Sequence, residues 1–142
     1  MIIGDILDED ELPEVISGSQ VVYHFAALAN IDDMLNKPKQ AINTNILGTV
    51  NVLEACHICN VSRFVYASTV YVNSREGGFY RCSKQASENF IEEFQQRYGL
   101  EYTILRYGSL YGPRSDETNG LYSVVKYAIE SGRLRYNGTK ES

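Results

Sequence analysis

Short apolar runs, rich in β-branched and aromatic residues, alternate along this chain with long stretches of helical periodicity. Val21–Ala27 (VVYHFAA), Arg63–Ser68 (RFVYAS) and Tyr102–Tyr107 (YTILRY) read as strands, the first two as strands buried on both faces. Pro38 opens a helix in which Ile42, Ile46, Val50 and Leu53 recur at about every fourth position, and Cys56 continues that stripe. A second helix is expected from about Tyr80 to Tyr98, with Ala86, Phe90 and Phe94 as its apolar stripe and Gly99 as its stop. A third follows Gly112-Pro113, from about Leu121 to Ser131, and Leu134-Arg135-Tyr136 is a candidate start for one more strand. Alternation of this kind needs crossover connections, so the expected fold class is α/β with a doubly wound parallel sheet. Ligands of such sheets gather at the carboxyl ends of the strands.

Composition narrows the function classes. A length of 142 residues allows one domain with a real core, and 44% hydrophobic with 22% charged residues is ordinary for a globular chain. A formal net charge of -5, with acidic residues clustered between Asp5 and Glu14, offers no basic face to nucleic acid. No apolar run reaches the roughly 20 residues of a membrane span, and no secretory signal precedes the acidic stretch, so a cytoplasmic location is expected. The three cysteines include a Cys56-His57-Ile58-Cys59 spacing, but no second pair exists and the only other histidine is His24. At the end of an apolar helix they read as packing groups, and no metal is expected.

Tyr80 and Lys84 stand four positions apart at the start of the second helix, where both side chains reach one small volume. A free phenol titrates near 10, and bringing it to about 7 takes about 4 kcal/mol of preference for the phenolate. An ammonium roughly 4 Å away in a partly desolvated cleft supplies an interaction of that size. The pair is a candidate acid/base device for drawing a proton from a hydroxyl.

Around it stand further signatures in order. Gly4-Asp5-Ile6, His24-Phe25-Ala26-Ala27, the run from Asn43 to Ala55 (NTNILGTVNVLEA), Phe64–Thr69 (FVYAST), Tyr80 with Lys84, and Leu105–Arg114 (LRYGSLYGPR) cover nearly the whole chain. With them the chain resembles the extended short-chain dehydrogenase/reductase superfamily, and within it the NAD-dependent epimerase/dehydratase family of nucleotide-sugar enzymes. The resemblance implies a Rossmann-like sheet, NAD as cofactor with NADP left open, and a nucleotide sugar as substrate. It implies that Tyr80, Lys84 and Thr69, or Ser68 in place of Thr69, carry the catalysis. Asp5, Ile6, Phe25, Ala26, Ala27, Asn45, Tyr80, Lys84 and Tyr107 would face the cofactor, and Ser109, Arg114 and Asn119 the substrate. It also implies a homodimer through the helices near 38–59 and 80–98.

Three departures qualify that resemblance. The glycine-rich turn that opens the family's sheet has no counterpart, since Gly18 and Gly120 lack its spacing. Residues 1–142 are therefore expected to be the central and C-terminal part of the cofactor-binding domain, entering the substrate region near 113–142. The first strands and the rest of the substrate region would be missing, and the chain alone would be inactive. Second, only eleven positions separate Thr69 from Tyr80, with Asn73–Gly78 as a compact connection. Third, Val70-Tyr71 follows Thr69 where dehydratases of the family carry an Asp-Glu pair, and Ser109 stands where many relatives have asparagine. Epimerisation is thus favoured over dehydration. The alternatives are a non-catalytic dinucleotide-binding sensor or scaffold of the same fold, or an inactive truncated fragment.

Overall fold

A computed structural model describes residues 1–30, 34, 36–117 and 119–134. Helix α1 (Leu12–Ile16) precedes strand β1 (Val21–His24). A long helical segment follows, made of α2 (Pro38–Gln40), a π-helical stretch (Ala41–Leu47) and α3 (Gly48–Ile58). Strand β2 (Arg63–Thr69) runs into a 3-10 turn (Val70–Asn73), and α4 (Gly78–Tyr98) leads to β3 (Glu101–Tyr107) and α5 (Gly120–Ser131). The strands form one sheet in the order β1-β2-β3. β1 and β2 are parallel, with Val21 opposite Arg63 and His24 opposite Tyr66. The chain divides into two units, residues 1–106 and 107–142.

The central strand is the most buried. Phe64, Val65 and Tyr66 are all inside, so both faces of β2 are covered. β1 departs from expectation: it ends at His24, and Val21 and Tyr23 are exposed while His24 is buried. Side chains alternate along a strand, so only one of its faces is covered by helix. Leu53, Cys56, Phe64, Tyr66, Ile91 and Phe94 form the core of the first unit. Cys56 thus packs as a small apolar group, and Cys59 Sγ lies 3.3 Å from the Pro13 carbonyl. Gly99 ends α4 at φ 71°, the left-handed cap expected of it.

The inward faces of the helices match their apolar stripes only in part. Ile42 is exposed, while Ala41, Asn45, Thr49, Val52 and Cys56 are buried. The π-helical stretch adds a residue to the turn, so the expected stripe holds at Leu53 and Cys56, which are in the core, is half-buried at Ile46 and Val50, and fails at Ile42 before them. On α4 the buried residues are Ser83, Lys84, Ser87, Glu88, Ile91 and Phe94, whereas Phe90 of the expected stripe is exposed. Both helices press polar side chains against the sheet near the carboxyl ends of β1 and β2. The expected strand at Leu134-Arg135-Tyr136 lies largely outside the described residues.

Candidate active site

The end of β2 divides two adjacent hydroxyls between two faces, as strand geometry requires. Ser68 Oγ donates to Glu88 Oε1 at 2.5 Å, and the same carboxylate receives Arg106 Nε at 3.1 Å and Nη2 at 2.7 Å. Ser68 is therefore engaged in a network joining β2, α4 and β3. Thr69 points the other way. Its Oγ1 accepts the Tyr71 N–H at 3.3 Å, opening the 3-10 turn, and lies close enough to the Tyr80 phenol to favour its ionised form. Of the two candidate hydroxyls, Thr69 is the one beside Tyr80.

Lys84, one turn along α4 from Tyr80, is buried and donates from Nζ to the Ala67 carbonyl at 2.8 Å. Its ammonium sits 4.6 Å from the Tyr66 ring centroid and 5.8 Å from that of Tyr80. Burial pulls its pKa down to about 8, against the opposing charge of Glu88. The Tyr80 phenol is shifted upward, chiefly by burial and further by Tyr71, with the nearby Thr69 hydroxyl pulling in the opposite direction. This corrects the expectation of a phenol acidified by its neighbouring amine. The ammonium is directed at a carbonyl and at the face of another ring, so desolvation decides the sign at Tyr80.

Behind this cluster lies a buried polar layer centred on Asn45. Its Oδ1 accepts the Leu28 N–H at 2.8 Å, and its Nδ2 donates to the Leu28 carbonyl at 3.0 Å and to Ser83 Oγ at 3.0 Å. The Ser83 hydroxyl in turn donates to the Tyr80 carbonyl at 2.8 Å. The Asn45 carbonyl lies within the π-helical stretch and takes the hydroxyls of Thr49 at 2.6 Å and Ser87 at 2.8 Å. One asparagine thus ties the chain that leaves β1 to the helix that bears Tyr80 and Lys84. His24 Nε2 stands 3.0 Å from Thr49 Oγ1. Because the one Thr49 proton goes to the Asn45 carbonyl, His24 must donate, which assigns it the Nε2–H tautomer. Burial, then the Lys84 charge, lowers the His24 pKa to about 4, so the ring is neutral. Residue-type reasoning singled out Asn45 but missed Ser83, Ser87 and Glu88. They lie three, seven and eight positions after Tyr80, on the face of the helix that it shares.

The remaining expected residues are dispersed. Asp5 Oδ1 accepts the Leu7 N–H at 2.9 Å in an exposed turn. The Ile6 carbonyl takes a bond from Asn51 Nδ2 at 3.1 Å, and its side chain covers Gly48 so closely that a Cβ there would come within 2.5 Å of Ile6 Cδ1. Phe25 and Ala26 are exposed just beyond β1 and Ala27 is half-buried, so an exposed aromatic ring stands beside two small side chains. In the second unit Tyr107 is half-buried, and Ser109 and Arg114 are exposed. Asn119 caps α5: its Oδ1 accepts the Tyr122 N–H at 3.0 Å, and its Nδ2 donates to the Leu110 carbonyl at 2.5 Å. Its amide therefore holds the start of a helix, a local structural use that reasoning from residue type had not weighed. This unit also contains a cavity of about 520 Å³ lined by Tyr111, Pro113, Tyr122, Val125, Lys126 and Ile129.

The sequence pattern of the NAD dependent epimerase/dehydratase family matches residues 1–139. A dTDP-glucose 4,6-dehydratase of Streptomyces niveus is 30% identical over 123 residues, covering 78% of this chain and 37% of its own length. The Thermus thermophilus UDP-glucose 4-epimerase solved with NAD is 31% identical, with a TM-score of 0.75 over 88% of this chain and 46% of its own. A UDP-N-acetylglucosamine 4-epimerase from Methanobrevibacter ruminantium, solved with UDP-N-acetylmuramic acid, is 26% identical, with a TM-score of 0.79 over 93% of this chain and 47% of its own. The chain thus has their α/β, Rossmann-like fold and spans less than half the length of each.

Proposed function

Because the chain belongs to the NAD dependent epimerase/dehydratase family, we propose that it carries the catalytic centre of an NAD-dependent nucleotide-sugar epimerase. The supporting observation is the meeting of Thr69, Tyr80 and Lys84 at the carboxyl end of β2. In this reading Tyr80 takes the proton of a sugar hydroxyl, and Thr69 donates a hydrogen bond to the same oxygen. Lys84 would hold the nicotinamide ribose, and Phe25 with the small Ala26 and Ala27 would line the cofactor backbone. Asp5 and Ile6 complete the cofactor contacts of the first unit. Bound NAD supplies the hydride acceptor and, when oxidised, a positive charge. Burial alone makes Tyr80 a weak acid, and its phenol would act as a base only with a positive charge beside it. Ser68 is a support for the strand end rather than a donor to substrate.

Epimerisation is preferred to dehydration because Val70 and Tyr71 occupy the turn after Thr69, with no carboxylate there for elimination. The same reading places the enzyme in the cytoplasm. Among the described residues, no helix is long and apolar enough to cross a membrane. It also pairs two copies through the helices near 38–59 and 80–98, whose Ile42, Ile58, Phe90 and Tyr98 are exposed. The test is Tyr80→Phe in the protein that contains this chain, assayed for epimer formation from UDP- and dTDP-hexoses. Turnover should fall by several orders of magnitude, and undiminished turnover overturns the proposal.

A second reading, in which the site binds a dinucleotide without turning anything over, rests on the Lys84 ammonium being held by the Ala67 carbonyl and the Tyr66 ring and standing farther from the Tyr80 ring. Calorimetric titration with NAD, followed by product analysis on nucleotide sugars, separates the two: binding without conversion favours a sensor.

A further inference from the structure

Tyr66 is fully buried on the central strand, directly beneath the site, and is not among the residues that the proposed chemistry employs. Its ring is nearer the Lys84 ammonium than that of Tyr80, at 4.6 Å against 5.8 Å between Nζ and the ring centroids. Its hydroxyl has no hydrogen bond of ordinary geometry, although Thr49 and Ser87 are close enough to favour its ionised form. A buried phenol oxygen without a partner is unfavourable, so the hydroxyl gives no reason for an aromatic residue here. The ring face does. An ammonium over the face of an aromatic ring is attracted by its quadrupole, and most strongly where water is excluded.

We propose that Tyr66 is a positioning residue of this site: its ring face and the Ala67 carbonyl together hold the Lys84 ammonium at the end of β2. The two anchors come from consecutive residues of one strand, so the amine is fixed to the sheet and not merely to its own helix. This deepens the proposed function and rests on it for its catalytic meaning, since Lys84 is the group there assigned to the cofactor ribose. The groups facing the amine are His24 from β1, Tyr66 from β2, and Tyr80 and Glu88 from α4, with Arg106 of β3 paired to Glu88. His24, which stacks on the Tyr66 ring at 5.8 Å, is neutral, and the changes made at position 66 introduce no charge, so the ring contribution is separable.

The test uses the protein that contains this chain, without cofactor or substrate. The Lys84 side-chain resonance, assigned by its loss in Lys84→Arg, is titrated by NMR in three proteins: the native chain, Tyr66→Phe, and the chain with pentafluorophenylalanine at the same position. Tyr66→Phe keeps the ring and drops the unpartnered hydroxyl, and the midpoint should stay within about 0.3 pH units of native. Fluorination preserves size and apolarity but removes the negative ring face, and the midpoint should fall by about one pH unit. An unchanged midpoint in the fluorinated protein means that the ring only fills space, and the proposal is overturned. The readout needs no turnover: a protein that converts no nucleotide sugar can still show the shift, and an active epimerase can still lack it.

Discussion

Glu88 and Arg106 meet through two parallel contacts, at 3.1 and 2.7 Å, and the carboxylate that Arg106 grips is buried while the guanidinium is half exposed. The asymmetry determines which partner matters. Arg106 can turn to water when Glu88 is lost, but Ser68, which is buried, cannot. Glu88→Ala should therefore lower stability by about 1–3 kcal/mol, mainly through the stranded Ser68 hydroxyl. Arg106→Ala should leave a buried carboxylate bonded only to Ser68 and should be at least as damaging. Urea denaturation of the two variants checks the order.

Asn45 makes bonds to Leu28 and Ser83 that no other described side chain replaces. Asn45→Ala should cost about 2–3 kcal/mol, two or more buried bonds at about 1 kcal/mol each. Its specific mark is local. Amide hydrogen exchange at Leu28 should accelerate more than at Phe64 in the central strand, because Leu28 loses its direct partner.

His24 makes stability depend on pH. Its pKa is about 4 in the fold against the ordinary 6.5, so between these values the unfolded chain binds more protons. Stability contributed by the neutral ring is full above pH 6.5 and is lost as pH falls toward about 4, with a span of about 3 kcal/mol. His24→Asn should flatten that part of the profile in denaturation experiments between pH 4 and 7.

Lys84 acts in the same sense at higher pH. With its pKa drawn down to about 8 from 10.5, the folded state is penalised for the charge below pH 8, and stability rises between pH 8 and 10.5. Lys84→Met removes the buried charge and should raise the melting temperature at pH 7 while abolishing any turnover. A gain in stability with a loss of activity is what a functional, rather than structural, buried lysine produces.

Much of this arrangement is legible in the residue order. Alternating strand and helix patterns predicted β2, β3 and the long helices to within a few residues, because strands with short apolar runs and helices ended by Gly99 and Gly132 carry local signals. That Tyr80 and Lys84 stand one turn apart on α4 followed from helical spacing. The inward faces did not follow. Asn45, Thr49, Ser83, Ser87 and Glu88 occupy buried positions that a hydrophobic count assigns to Ile42 or Phe90, since the polar layer is satisfied by its own hydrogen bonds. The direction of the Tyr80 shift was also beyond residue spacing. It depends on where the Lys84 amine points, and β2 supplies both the carbonyl and the ring that draw it away.

The most direct measurement is the ultraviolet titration of Tyr80, taken as the difference between the protein containing this chain and its Tyr80→Phe variant. Without cofactor, its midpoint should lie above the ordinary tyrosine range, as burial dictates. With oxidised NAD bound, it should fall below that range, into reach of a base at physiological pH. A midpoint that stays high with the cofactor in place would contradict the role given to Tyr80.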